Sequence, residues 1–469
     1  MEKTLSMTLA VFVLFVSSAA LFGAPAGPPA AIPAQSYLVV CDTGLPTGMA
    51  RSLSTAGAKV TSLIPQIGLA VVSSADPAFK TKAAKIRGVT AVVPNPTIQW
   101  IGRNEKAVKM DIGNPPYSGA GDWFFDLQWG HTAIQAPAAW DTGALGLGVR
   151  VAVLDSGIAQ YNPDLAPNLN TELSKSFVPG EEYWFSGGLN DFSHGTHVSG
   201  TIAAAMNGWG VIGVAPEAEL VMVKVLSETT GSGSWGGILQ GIVYAADIQA
   251  DVINMSLGGF LPRRGFTDED GIKVSASDIS FLINLMNRAT SYATTHGSTV
   301  VASAGNAALD FDHTADWVHM PAQAVGVLAV SATAPIGWAL DPDTSLDVPT
   351  SYTDYGLSAI SLAAPGGDGM YPGDDFCTVV ISAPCVAFDF VFSDGMCDQN
   401  SCNFWWGYGT SMATPHVSGV AALIIGRHGG SMDPVEVKAI LQGTADDLGK
   451  LGKDAWYGFG RVNAYNAVK

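Results

Sequence analysis

Hydrophobic positions fall along this chain in two rhythms. From about residue 149 onward, unbroken apolar runs at 149–154, 220–225, 252–257, 300–303 and 325–330 alternate with stretches at 238–249 and 279–294 in which apolar residues recur at helical spacing. Unbroken runs mark strands covered on both faces, and the helices between them serve as crossovers, so this part is predicted to be a three-layer α/β domain around a mainly parallel sheet. Residues 35–101 differ: strand-like 36–41, helix-like 46–56, strand-like 58–64 and 67–73, helix-like 77–86 and strand-like 89–93 give a small ferredoxin-like α+β unit in the order βαββαβ. Ahead of both, Lys3, the apolar run 9–16 and the small residues Ser18, Ala20, Ala24 and Ala26 have the layout of a secretory signal over 1–24. The run is too short for a bilayer span, and Gly23, Pro25, Gly27, Pro28 and Pro29 follow at once, so cleavage is expected. No other segment has the length and apolarity of a membrane helix.

Polar residues at the ends of these runs carry candidate chemistry. Asp155 ends Val-Ala-Val-Leu-Asp155, where open α/β sheets place their reactive groups. His194 opens His194-Gly-Thr-His-Val-Ser-Gly, a predicted helix reaching Ile202 and Ala205. Ser411 in Gly-Thr-Ser411-Met-Ala-Thr-Pro415 precedes the apolar stretch 417–425, with Pro415 expected in the first turn, where its missing N–H costs little. A serine hydroxyl needs an imidazole to take its proton and a carboxylate to orient that imidazole. Asn306, closing Val300-Val-Ala-Ser-Ala-Gly-Asn306, can give a side-chain N–H to an oxyanion beside the Ser411 backbone N–H. Asn254-Met-Ser256-Leu257-Gly258 is a strand end able to pair with an extended peptide. Taken singly, each fits a cap, a satisfied polar group or a turn. Together, in the order Asp, His, Ser, they point to acyl transfer by an activated serine.

From Trp129-Gly130 to the terminal Gly458-Phe-Gly-Arg-Val-Asn, the chain resembles the subtilisin family of serine endopeptidases. The resemblance implies Asp155 as the orienting carboxylate, His194 as general base and acid, Ser411 as nucleophile and Asn306 as oxyanion donor, with structural roles for His197 and His416. It implies substrate pairing along Ser256, Leu257 and Gly258, and puts His319, just before Met320-Pro321, near the base of the pocket for the residue on the acyl side of the scissile bond. It implies an I9-type inhibitory propeptide over 35–101, pairing with the protease sheet and leaving its tail in the cleft, then a maturation linker over 102–121 and a peptidase domain over 122–469. Structural calcium is implied as the cofactor, with side-chain oxygens from Asp122, Asp164 and Asn207 and backbone oxygens from Ala205, Trp209 and Val211; Asp126 or Gln128 are alternatives to Asp122. The plain alternative is a loop whose polar residues satisfy its own backbone. Asp310, Asp312 and Asp316 form a second carboxylate-rich group with no matching template.

Composition narrows the picture. A charged fraction of 14% against 48% hydrophobic supplies a large core and excludes a mainly disordered chain. Residues 1–105 hold eight basic and four acidic residues, whereas 106–469 hold 15 basic and 37 acidic, so a cationic leader precedes an anionic enzyme, which argues against nucleic-acid binding. Cys41 lies in the leader; Cys377, Cys385, Cys397 and Cys402 form an even set in an expected secreted part, implying two disulfides with all three pairings open. A zinc site is the rival, disfavoured because the spacings make no Cys-x-x-Cys hooks. The insertion 367–406, with Phe388, Phe390, Phe392, Trp405 and Trp406, departs from the compact subtilisin pattern, and is either a cleft wall on the leaving-group side or a stapled loop with its own aromatic cluster. The expected protein is a secreted, self-processing, monomeric endopeptidase of broad specificity, with no further domain after the peptidase. The alternatives are a specific processing protease and an inactive binding module.

Overall fold

The computed structural model describes residues 33–42, 44–102, 104–110 and 122–469. The expected signal peptide, 1–24, and most of the maturation linker lie outside them. Strands β1 (Gln35–Cys41), β2 (Lys59–Ile64), β3 (Leu69–Ser74) and β4 (Val89–Pro94), with helices α1 (Met49–Thr55) and α2 (Phe79–Ala83), form the N-terminal unit. Its sheet is antiparallel in the order β2-β3-β1-β4. Short strands β5 (Thr97–Gln99) and β6 (Lys106–Met110) follow.

The large domain is built on β7 (Arg150–Asp155), β8 (Lys175–Ser176), β9 (Glu219–Lys224), β11 (Val252–Met255), β12 (Thr299–Ser303), β13 (Val327–Ala334), β14 (Val348–Pro349) and β15 (Ile360–Pro365). The order is β14-β13-β12-β11-β7-β9-β8, with β15 also on β13, and every pairing except β13–β14 is parallel. Helices α3 (His194–Ala203), α4 (Trp235–Asp247), α5 (Ala276–Thr295) and α6 (Thr410–Arg427) cover it. Strand β10 (Ser232–Ser234) pairs with β5, and β16 (Val391–Cys397) with β17 (Cys402–Tyr408) forms a hairpin just before α6. Sequence rhythm missed β8, β14 and β15, which are short or lie at the sheet's margins.

Side-chain alternation divides the core. Val151 and Val153 of β7 face α3 and α6, in one cluster with Val198, Ile202, Val417 and Val420. Ala152 and Leu154 face α4 and α5, with Ile238, Ile242, Leu285 and Met286. Leu38, Val40, Leu69 and Val71 of the N-terminal unit belong to that second cluster. The unit therefore lies on α4 and α5 instead of pairing with the large sheet as expected; the strand contacts come from beyond it, β5 on β10 and β6 on β17. Arg288 of α5 fixes the register, donating to Cys41 O at 2.7 Å and Ile67 O at 3.3 Å.

Two helix boundaries correct the sequence reading. Helix α3 ends at Ala203, short of Ala205. Helix α6 starts at Thr410, so Pro415 lies inside it and not in its first turn. Pro415 has no N–H for the Ser411 carbonyl, and Ser256 Oγ takes that place, donating to Ser411 O at 2.8 Å. No helix among the described residues is long and apolar enough to cross a membrane.

Candidate active site

Three loop or helix starts bring Asp155, His194 and Ser411 together at the carboxyl end of the parallel sheet. Asp155 ends β7, is fully buried, and accepts from Ser156 N–H at 2.6 Å and Ser156 Oγ at 3.0 Å. His194 Nδ1 lies 2.9 Å from both Asp155 carboxylate oxygens. Ser193 caps α3 by accepting from Thr196 N–H, which sets the direction in which the imidazole leaves the helix. A Cβ on Gly195 would collide with Gly157 O, so only glycine lets the helix start come this close to the Asp155 loop.

Ser411 Oγ donates to Glu105 Oε1 at 2.5 Å and lies 3.2 Å from Ser256 O. Asn306 Nδ2 donates to the same Glu105 oxygen at 2.8 Å, while Asn306 Oδ1 accepts from Thr410 N–H and Thr410 Oγ, each at 2.8 Å. Glu105 Oε2 lies 3.1 Å from His194 Nε2. No hydrogen bond joins His194 Nε2 to Ser411. Burial pulls the His194 imidazole down, but Asp155 and then Glu105 outweigh it and raise its pKa to about 10. At neutral pH this imidazole is therefore a cation between two carboxylates. His197 and His416 are buried elsewhere and pushed down to about 3 and about 4, chiefly by desolvation.

Glu105 reaches this position because residues 97–102 and 104–110 lie along the cleft. Thr97, Ile98 and Gln99 pair with Ser234, Gly233 and Ser232. Gly258 N–H donates to Trp100 O at 2.9 Å, so the chain's own segment takes up the edge expected to bind peptides. A turn follows, with Glu105 N–H donating to Gly102 O at 3.0 Å, and β6 then pairs with β17. Of the three residues expected along that edge, Gly258 alone meets the segment through its N–H. Leu257 is buried beneath, and the Ser256 hydroxyl turns away to brace α6. His319 is buried, and its ring lies 4.4 Å from Phe260 and 6.0 Å from Phe311. It forms one wall of a cavity of about 420 Å³ shared by Gly258, Phe260, Ser303, Gly305 and Asn306. Desolvation pushes it down to about 3, so the pocket wall is a neutral imidazole.

The expected calcium residues converge in part. Asp122 Oδ1 accepts from the N–H groups of Asn207, Gly208 and Trp209 at 3.1–3.2 Å. Asp164 Oδ2 accepts from Val211 N–H at 2.9 Å, its Oδ1 from Asn207 Nδ2 at 3.1 Å, and Ala205 N–H donates to Asp164 O at 2.8 Å. The Trp209 and Val211 N–H groups thus point at the two carboxylates. Gln128 spends both amide atoms on Ile212, and Asp126 is exposed, so Asp122 is the carboxylate at this loop. Asp394, from the insertion, stands against Asp164 and accepts from Asn162 Nδ2 at 3.1 Å. Desolvation raises all three carboxyls: Asp122 moderately, Asp164 well above its usual range with Asp394 adding to it, and Asp394 to about 7. Asp122 Oδ2 and Asp394 Oδ2 are buried without a hydrogen-bond partner.

The Asp310, Asp312 and Asp316 group does not form an ion site. Asp310 holds His313 at 2.7 Å, Asp312 accepts from Leu357 and Ser358 N–H, and Asp316 faces Arg264 at 3.6 Å. No cluster of three or more acidic, histidine or cysteine side chains suited to a metal occurs among the described residues. The four late cysteines pair as Cys377–Cys385 and Cys397–Cys402. Phe388, Phe390, Phe392 and Trp406 join Phe124 and Phe404 in a separate core, so the insertion's aromatics form their own cluster while the backbone of β17 lines the cleft.

Sequence reasoning missed four residues of this site. Glu105 sits in the expected linker with no motif around it. Thr410 orients Asn306, and its neighbour in Gly-Thr-Ser was the only available signal. Asp354 accepts from Ala307 and Leu309 N–H at 3.0 and 2.8 Å, holding the loop that carries Asn306, and burial raises it to about 7. Asp394 lies within a hairpin that had no template.

A family model described as the subtilase family matches residues 146–460. The M-protease of Shouchella clausii (strain KSM-K16) is 34% identical over 383 residues, covering 81% of this chain and 77% of that protein. Subtilisin Savinase of Lederbergia lenta is 35% identical over 345 residues, covering 73% of this chain and 99% of that protein. Among solved structures, the epidermin leader peptide processing serine protease of Staphylococcus aureus has a TM-score of 0.70 at 20% identity, covering 93% of this chain and 99% of that one, a likeness of fold.

Proposed function

The chain belongs to the subtilase family of serine endopeptidases, and on that premise we propose that it is a secreted endopeptidase of broad specificity, made as a self-processing zymogen that its own residues 97–110 keep closed. The single observation that carries the zymogen reading is the Glu105 carboxylate, bonded to Ser411 and Asn306 and in ion contact with His194. A carboxylate there fills the space a reacting carbonyl needs and keeps the imidazole protonated. The N-terminal unit acts as intramolecular chaperone through its packing on α4 and α5, and as inhibitor through the segment it leads into the cleft.

Once the segment leaves, Ser411 Oγ attacks the scissile carbonyl and His194 takes its proton while Asp155 holds the imidazole at Nδ1. Asn306 Nδ2, turned toward the centre by Thr410, stabilises the oxyanion; His194 returns the proton to the departing amine, and water hydrolyses the acyl-enzyme. Gly258 pairs with the acyl-side backbone, which reads main chain and so accepts many sequences. The protein works as a monomer on extended polypeptides.

The calcium ion that the family reading implies would draw its oxygen ligands from Asp122, Asp164 and Asn207 and the carbonyls of Ala205, Trp209 and Val211, with Asp394 as a further donor once these carboxylates, not gathered into one cluster, close around it. The fit rests on buried carboxylate oxygens without a partner, Asp122 Oδ2 and Asp394 Oδ2, which a hard cation would satisfy. Such an ion supplies charge neutralisation at the loops leaving Asp155 and α3.

The test is labelling by a serine-directed fluorophosphonate. The processed protein should react at Ser411, and Ser411→Ala should accumulate as full-length precursor. Absence of labelling in the folded, processed protein would point to a binding module, and normal processing of Ser411→Ala to another protease as the maturase.

A further inference from the structure

Asn306 reaches the reacting centre from the loop that follows β12, and the backbone on both sides of it is tied to one residue, Asp354. Asp354 N–H donates to Gly305 O at 2.9 Å, just before Asn306. Its Oδ1 accepts from Ala307 N–H at 3.0 Å, just after Asn306, and from Leu309 N–H at 2.8 Å. Ala308 between them has left-handed backbone, with φ 52°, and gives its own N–H to Tyr352 O at 2.8 Å. Such a turn, unfavourable for a residue with a side chain, aims the flanking N–H groups into one concavity that suits an anion. Asp354 is anchored in turn: Ala332 N–H of β13 donates to Thr353 Oγ1, and Thr353 Oγ1 to Asp354 O, each at 3.1 Å. The carboxyl is fully buried, and its Oδ2 has no hydrogen-bond partner among the described residues. That oxygen lies against Gly305, where a Cβ would collide with it.

We infer that Asp354 is a positioning residue for the oxyanion hole: its carboxylate gathers the backbone that follows Asn306 and so holds the Asn306 amide where the oxyanion forms. It touches no substrate and acts through that loop. The inference rests on the endopeptidase reading above and adds a second proton-sensitive group beside His194. The ionised form is the one that serves, since a carboxylate accepts the two N–H bonds more strongly than a neutral acid does. Burial opposes that form and raises Asp354 to about 7, with the bonds from Leu309 and Ala307 pulling the other way. A proton on His194 stops it from accepting the Ser411 proton; a proton on Asp354 loosens the oxyanion donor. His319, whose ring stands across Gly305 from Oδ2, is pushed down to about 3 by burial and stays neutral over the working range. Farther along the loop, Asp310 is bonded to the exposed His313, which it holds above the usual range, and Asp312 accepts from Leu357 and Ser358 N–H. Glu105 reaches the loop through Asn306 Nδ2 in the uncleaved chain, so the processed enzyme is the form to test.

The experiment measures kcat and KM of the processed enzyme on one peptide between pH 5 and pH 9, for the parent, Asp354→Asn, Asp354→Ala and His313→Gln. Asparagine keeps an oxygen for the Ala307 and Leu309 N–H groups and does not titrate. At pH 9, Asp354→Ala should lose roughly tenfold to a hundredfold in kcat at constant KM, part of what deleting an oxyanion donor costs, and Asp354→Asn should recover most of that loss. Below pH 7 the parent's kcat should fall as two protons bind and that of Asp354→Asn as one binds, so the ratio of variant to parent grows about tenfold or more from pH 8 to pH 5. His313→Gln should follow the parent. Equal steepness in parent and Asp354→Asn overturns the inference, including a parallel displacement of the kind that a changed charge near His194 would produce. Loss of the extra steepness in His313→Gln overturns it as well. Where Asp354→Ala fails to fold, the parent and Asp354→Asn profiles still decide. Absence of turnover in the parent at every pH overturns the endopeptidase reading instead.

Discussion

Glu105 Oε1 lies 2.5 Å from Ser411 Oγ, and these two residues are 306 positions apart in the chain. The Ser411 hydroxyl spends its proton on that carboxylate and on no imidazole nitrogen, so the relationship parts Ser411 from His194 while leaving both in place. The Asp155–His194 contact at 2.9 Å and the Asn306–Thr410 contacts at 2.8 Å are already formed around it.

Glu105→Gln should therefore speed self-processing. His194 is raised to about 10 by Asp155 and Glu105 against its burial, so in the uncleaved chain it is protonated at pH 7 and cannot accept the Ser411 proton. Removing one carboxylate lowers that pKa and increases the neutral fraction. We expect precursor conversion, followed by mass spectrometry at pH 7, to accelerate by roughly tenfold or more, about one pKa unit of relief, and the parent's conversion rate to climb as pH rises toward 10. An unchanged or slower Glu105→Gln would remove the latch from the account.

Asn306→Leu should lower kcat of the processed enzyme by about 10² to 10³ with little change in KM, because it deletes one oxyanion donor and leaves the Gly258 edge intact. Thr410→Val keeps Asn306 but loses the Oγ bond that aims it, and should give a smaller fall in kcat, again at constant KM. Peptide kinetics decide; a KM effect without a kcat effect would make Asn306 a binding residue.

His319→Gln should change how stability varies with acid. Burial pushes His319 to about 3 from its usual 6.5, so its contribution is fully present above pH 6.5 and is lost as pH falls toward 3, where the unfolded chain takes up a proton that the folded chain refuses. Relative to parent at each pH, the variant should gain up to about 1.4 kcal/mol per pH unit below 6.5. Comparison at matched pH cancels the opposing trend from Asp354, which is raised to about 7. Denaturant unfolding at several pH values measures it, and a constant difference between the two proteins would contradict a neutral buried His319.

Chelation should lower the melting temperature of the processed enzyme before it lowers turnover, since a calcium ion would hold loops and take no part in acyl transfer. An ion at about 100 times its Kd contributes roughly 2.7 kcal/mol to the folded state. Asp164→Ala should abolish most of that calcium-dependent gain. Coincident melting curves with calcium and with chelator would reject the site, and prompt, reversible loss of turnover in a folded enzyme would reject a purely structural role.

Much of the site was legible because its signals are local. Asp155 shows itself as the polar end of Val-Ala-Val-Leu, His194 as the polar start of a helix, Asn306 as the end of another apolar run; each needs only its neighbours to be recognised. Elements whose support is not local were illegible. Strand β15 borrows its place from β13, Pro415 is accommodated inside α6 because Ser256 replaces the missing bond, and the cysteine spacing allowed three pairings of which the hairpin geometry takes one.

Sequence by itself determined which reactive groups this protein owns and which local element presents each, since strand ends, helix starts and apolar periodicity follow from residues a few positions apart. Only the tertiary structure decided what stands opposite them. Glu105 on Ser411, Asp394 beside Asp164 and β6 along β17 are contacts between segments distant in the chain, fixed by how the layers pack and not by any pattern within either segment.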